Sequence, residues 1–250
     1  MLTAGVDLAA EARGTALAIL EWSPGKAVVR DLQVDVADEI VVQAAHRVEK
    51  LGIDCALGWP KEFIEFVQAQ VDINSPNDFD GGMAWRRRLA YRETDRHVRS
   101  TTGRWPLSVS TDRLGLTAMR AAGLLSKLAR EGFHVERTGQ GAVAEVYPGA
   151  SLRLWGFDTS GYRASPETRQ ALLAAIQSSM PQLDLGQHAP VMISSCDAFD
   201  AVVAAIAARA VAVGRTHAPE SDQLELARSE GWIHLPAGSL NSLVEPRNSP

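Results

Sequence analysis

The chain opens on a small, apolar run, Leu2–Val6, that stops at Asp7. A run of that kind suits a strand buried on both faces of a sheet, which places it centrally. A lone carboxylate closing such a strand meets solvent only at the strand's carboxyl end, where open α/β sheets put their ligands. The polar turn Leu8–Arg13 and the second apolar run Gly14–Leu20 read as a hairpin with it. A third strand-like run, 26–34, follows the turn Trp22-Ser23-Pro24-Gly25, so residues 1–34 predict an antiparallel meander. Asp7 is read as the first ligand of a divalent-metal site; the plainer alternative is an aspartate that starts a turn.

Residues 36–51 carry Ile40, Val41, Ala44, Ala45, Val48 and Leu51 at helical spacing, with Gly52 as the stop. Ile53–Leu57 then predicts a fourth strand carrying Asp54, parallel to the first because a helix connects it to the meander. Ala142–Tyr147, carrying Glu145, predicts a fifth. Helices are expected over 61–71, 112–131, 166–177 and 197–213. The expected fold class is therefore α/β: a mixed five-stranded sheet, an antiparallel meander followed by parallel strands, flanked by helices. One domain is expected over 1–250, with an arginine-rich insertion at about 61–110. A chain of 250 residues, 46% of them hydrophobic, is long enough to bury such a core.

The net charge of −5 neither demands nor forbids a nucleic-acid partner. Two cysteines, Cys55 and Cys196, supply neither a disulfide framework nor zinc-ligand spacing. The first residues lack the basic and long apolar segments of a signal peptide, and no apolar run approaches the roughly 20 residues that span a bilayer. A cytoplasmic protein with reduced thiols, and no membrane partner, is expected.

The chemistry is carried by carboxylates. The stretch 196–211 is alanine-rich and apolar except for Asp197, Asp200 and Arg209, as a helix packed on a sheet would be. Asp197 and Asp200 lie three apart and so share one side of that helix. Ser194-x-x-Asp197 fits a capping box, which accounts for Asp197 but not for Asp200, past the first turn. Burying two like charges is costly, and a bound cation cancels the cost. Asp54 interrupts an apolar strand just before Gly58-Trp59-Pro60. If the first and fourth strands are parallel neighbours, Asp7, Asp54, Asp197 and Asp200 converge on a hard-oxygen site for Mg²⁺ or Mn²⁺. Two such ions some ~4 Å apart would activate a water and steady the leaving oxygen of a phosphodiester.

Seven arginines lie between Arg86 and Arg104 against only Glu93 and Asp95. On one continuous helix Arg88, Arg92, Arg96 and Arg99 would line a single face, giving phosphate contacts without base reading. Trp85, Tyr91 and Trp105 would supply stacking surfaces. The expected partner is a nucleic acid or nucleotide.

The order of elements resembles the RNase H-like fold, and the carboxylate spacing within it the Holliday-junction resolvases. More closely, the chain is similar to the family catalogued as domain of unknown function 429. The stretches that carry the likeness are GVDLA at 5–9, IDCALGWP at 53–60, ETDRHVR at 93–99, PLSVSTDRLG at 106–115, EVYPGASLR at 145–153, CDAFDAVVAAIAAR at 196–209 and EGWI at 230–233. Ala56 stands where that family usually has Pro. The resemblance implies a metal-dependent nuclease, with Glu145 as a neighbour of the site and Arg96, in Thr94-Asp95-Arg96, as the foremost substrate arginine. Two other readings are an actin-like phosphotransferase, from Asp7 with Gly14-Thr15, and a non-catalytic binding module.

Overall fold

The structure, a computed structural model, describes residues 1–72, 74, 79 and 81–245. Most of the expected polar loop 72–82 and the terminal Asn248-Ser249-Pro250 lie outside the described residues. In chain order the elements are β1 (Leu2–Asp7), β2 (Ala16–Ser23), β3 (Lys26–Val34), α1 (Asp38–Ala45), β4 (Lys50–Asp54), α2 (Lys61–Ala69), α3 (Gly82–Ala90), α4 (Glu93–Thr102) and α5 (Gly115–Arg130). There follow β5 (Val143–Glu145), α6 (Pro148–Leu154), α7 (Pro166–Ser179), β6 (Leu183–Asp184), α8 (Ala189–Ser194), α9 (Cys196–Ala212), β7 (Thr216–His217), α10 (Leu224–Glu230) and β8 (Leu235–Pro236).

The main sheet has six strands in the order β5-β4-β1-β2-β3-β6. β1, β2 and β3 form the antiparallel meander, and β4 and β5 extend it in parallel from β1. The sixth strand, β6, pairs in parallel with the far edge of β3 and corrects the five-stranded expectation. It is two residues long and leaves no periodic trace in the sequence.

The hydrophobic alternation of β1 and β2 splits the core between the two faces of the sheet. Val6, Leu17, Ile19, Leu51 and Ile53 pack with α1 and α5, while Ala16, Ala18 and Leu20 pack with α7 and α9. α9 lies almost on the backbone of the central strands. A Cβ at Gly5 would overlap the main chain of Ala201, Ala204 and Ala205, and one at Gly52 would stand 2.8 Å from the carbonyl oxygen of Ala204. Thr3 Oγ1 donates to the carbonyl of Ala205 across the same contact, at 2.9 Å.

The contact also explains a correction. The helix expected over 36–51 ends at Ala45, and the fourth strand begins at Lys50 rather than Ile53. Gly52 is not a helix stop but the strand residue under α9. Leu51 continues the helical spacing of its predecessors, yet its N–H donates to the carbonyl of Ala142. Sheet pairing outweighs the local periodicity there.

Candidate acid-lined cleft

Asp7 and Asp54 end β1 and β4 as register partners of a parallel pair. They therefore lie on neighbouring strands about 4.8 Å apart, with their side chains on the same face. That face is the one covered by α9, since Gly5 and Gly52, two residues earlier on each strand, carry its backbone. On α9 the stripe Asp200–Ala204–Ala208 repeats every four residues, and Ala204 and Ala208 sit on Gly52. The small residues that let helix and sheet touch thus bring Asp200 over the two strand-end acids. Ser195, not Ser194, caps α9, accepting from the N–H of Ala198 at 3.1 Å.

Asp7, Asp54, Asp197 and Asp200 all line one cleft of about 480 Å³, with Leu8, Pro106, Leu107 and Leu114 contributing an apolar wall. Burial, then Asp54, Asp200 and Asp197, raise the Asp7 carboxyl well above its ordinary range. Burial and the charge of Asp200 push Asp54 up to about 8. Asp200 is pushed up to about 6 by burial, against the opposing pull of Arg163 and a hydrogen bond from Tyr162. Burial and the charge of Asp35 raise Asp197 as well. On Asp7 and Asp54 burial and the neighbouring acids are opposed by the charge of Arg163, and no hydrogen bond among the described residues offsets them.

Asp200 is held differently. Tyr162 donates to its Oδ1 at 3.0 Å, and Arg163 Nη2 stands 3.3 Å from its Oδ2. Tyr162 and Arg163 had no local sequence signal; they come from the loop before α7, 38 and 37 positions from Asp200. Among the described residues, no three His, Cys, Asp or Glu side chains are grouped as ready-made metal ligands. The donor chemistry nevertheless fits a hard cation, being all oxygen and mutually repelling. Cys55 and Cys196 are protonated thiols at neutral pH, Cys55 pushed up by burial and Cys196 by burial to about 12.

Glu145 lines the cleft but belongs to another unit. It pairs in register with Ile53, one residue short of Asp54, so its side chain leaves the opposite face of the sheet. Arg92 donates to both its oxygens, at 2.9 and 2.7 Å, and the N–H of Leu57 donates to Oε2 at 3.0 Å. Glu145, expected as a neighbour of the site, stands at the cleft wall as a buried counter-ion of Arg92.

The arginine rail is corrected. Tyr91 and Arg92 break the expected helix into α3 and α4, so Arg88, Arg92, Arg96 and Arg99 share no continuous face. Arg92 is 2% exposed. It donates to Asp95, Glu145 and the carbonyl of Glu230, which occupies every guanidinium donor and leaves none for a phosphate. Arg88 pairs with Glu62 and Arg96 with Glu93, at 3.0 and 3.1 Å. Arg99 is exposed in the last turn of α4. Tyr91 and Trp105 stack on each other at 4.1 Å, and Trp85 packs edge-on against Phe66.

The geometry defines an α/β protein with an acid-lined cleft at the carboxyl edge of a mixed sheet, roofed by the N-terminal turn of a late helix. The chain belongs to the family described as Protein of unknown function (DUF429), whose profile matches residues 5–224. No curated protein and no solved structure matches it.

Proposed function

We propose that this chain is a divalent-cation-dependent phosphodiesterase of RNase H-like fold, acting on a nucleic acid or nucleotide. The observation that carries the reading is the placement of Asp7 and Asp54 side by side at one strand edge with Asp200 above them, where Asp54 and Asp200 raise the hold of Asp7 on a proton and Asp200 raises that of Asp54. A site that gains from protonation gains more from a doubly charged hard cation, and Mg²⁺ or Mn²⁺ fits the oxygen donors. Asp7, Asp54 and Asp200 would hold it, with Asp197 at the rim. Such an ion, when bound, supplies an acidified water and a counter-charge for a leaving oxygen. The meander ending in Asp7, the parallel strand ending in Asp54 and the late helix with Asp197 and Asp200 support the RNase H-like reading.

The chain's own residues suit a short substrate. A cleft of about 480 Å³ matches a ligand of nucleotide size, and the wall of Leu8, Pro106, Leu107 and Leu114 excludes water beside a base or sugar. With Arg92 buried and Arg88 and Arg96 paired to acids, three of the four arginines expected to follow a long backbone are engaged within the protein. The phosphotransferase reading gains nothing from the first turn. Gly14 N–H donates to Asp35, Thr15 N–H to the carbonyl of Ala12, and Thr15 Oγ1 accepts from Ala9 and Arg120. The N–H groups of Gly14 and Thr15 and the Thr15 hydroxyl, the groups that suggested a phosphate loop, are thus engaged within the protein.

The test is a Mn²⁺ titration by calorimetry, followed by cleavage assays on single-stranded, duplex, structured and dinucleotide substrates. Binding lost in Asp7→Asn, together with Mn²⁺-dependent hydrolysis of at least one substrate, is expected. Absence of both binding and hydrolysis in the wild type would rule the reading out.

A further inference from the structure

At the cleft mouth one guanidinium already does part of what a bound cation would do. Arg163 Nη2 is 3.3 Å from Asp200 Oδ2, its Nε donates to the Tyr162 hydroxyl at 3.1 Å, and that hydroxyl donates to Asp200 Oδ1 at 3.0 Å. Guanidinium, phenol and carboxylate thus form a closed ring. The same charge acts on Asp7, Asp54 and Asp197, against the repulsion among the acids. Its two partners are fixed, Asp200 at 2% and Tyr162 at 3% exposure, whereas the Arg163 side chain is 57% exposed. Arg92 shows the contrast: an arginine with every donor used and no surface is part of the frame. Arg163 hangs from an irregular loop between α6 and α7 and leaves its carboxylate at little packing cost.

We propose that Arg163 is a tethered counter-cation for the acid cluster, displaced from Asp200 when a divalent cation enters and then free to meet the phosphate of the substrate. The inference rests on the cation reading above and adds to it a residue and an order of events. Both oxygens of Asp200 are engaged by Tyr162 and Arg163, so an entering cation must compete for them. Competition for one carboxylate lowers the apparent affinity of the entering ion by the fraction of chains in which that carboxylate is free. Once displaced, a guanidinium at the rim is matched in shape and charge to a phosphate.

The experiment is Mn²⁺ binding by calorimetry to the wild type, Arg163→Ala, Arg163→Gln and Arg163→Lys, followed by binding of a nucleoside monophosphate with Ca²⁺ present. Arg163→Ala is expected to bind Mn²⁺ roughly five- to tenfold more tightly, the lower range of coupling between two sites. Its nucleotide binding is expected to weaken, and Arg163→Lys, which keeps the charge without the forked donors, to fall between Arg163→Ala and the wild type in both. Arg163→Gln keeps the side chain's reach without its charge and gives the same reading should truncation disturb the loop. Unchanged or weaker Mn²⁺ binding in the uncharged variants, with binding intact in the wild type, overturns this proposal and leaves the cation reading standing. No Mn²⁺ binding in any of the four proteins overturns both.

Discussion

Asp54 is a side chain whose environment works against its own charge. Its carboxyl is raised from 3.8 to about 8, so the folded chain keeps a proton that the unfolded chain has released. The sign follows from linkage: stability is fullest below about 4 and declines as pH rises through about 8. Thermal melts of the cation-free protein should show this decline, and Asp54→Asn should flatten it and melt higher than the wild type at pH 8. Parallel curves for the two proteins would mean that Asp54 sits in a milder environment. Arg92 is the opposite case, a buried charge fully matched by Asp95 and Glu145. Its replacement by Ala strands two buried carboxylates, and we expect a loss of about 3–5 kcal/mol in urea denaturation. The sequence made Asp54 visible, because a carboxylate in an apolar strand is conspicuous. It hid the fate of Arg92, whose partners Glu145 and Glu230 lie 53 and 138 positions away.

The decisive element is α9. It meets the central strands through Ala201, Ala204, Ala205 and Ala208, and Gly5 and Gly52 below it have no side chains to hold it off. The acids on its first turns are thereby set over β1 and β4. Gly5→Ala puts a methyl group into helix backbone, which cannot give way as a flexible side chain would. We expect a loss of about 3 kcal/mol or more, the severe end of overpacking, together with weaker Mn²⁺ binding as the helix lifts. Denaturation and calorimetry on one sample check both; a fold of wild-type stability would show that the helix rides higher. The alanine-rich stretch announced this helix in the sequence, with bounds Cys196–Ala212 against the expected 197–213. The end of α1 was not legible, since Val48 and Leu51 keep helical spacing while the chain turns to join the sheet.

Over the whole molecule, the negative charge and the pairing of the arginines predict how it meets nucleic acid. Arg92 is enclosed and Arg88 and Arg96 are tied to acids, so three of the four arginines expected to follow a duplex are already engaged. Binding of a duplex oligonucleotide at physiological salt should be weaker than about 10⁻⁴ M, the weak limit of non-specific association. Fluorescence anisotropy checks this, and micromolar binding with a steep salt dependence would restore the extended phosphate track. Among the described residues, no helix is long and apolar enough to cross a membrane.

The sequence alone determined what depends on neighbours along the chain. The meander, the strand-end position of Asp7 and the apolar helix with Asp197 and Asp200 rest on local composition and spacing, and membership of the family on its motifs along residues 5–224. Tertiary structure decided which charges face one another. It put Asp54 beside Asp7, turned Glu145 to the far side of the sheet, enclosed Arg92 and brought Arg163 to Asp200. The reason is physical: hydrophobic periodicity is a short-range signal, whereas whether a charge is matched or opposed depends on groups that only folding brings within a few ångströms.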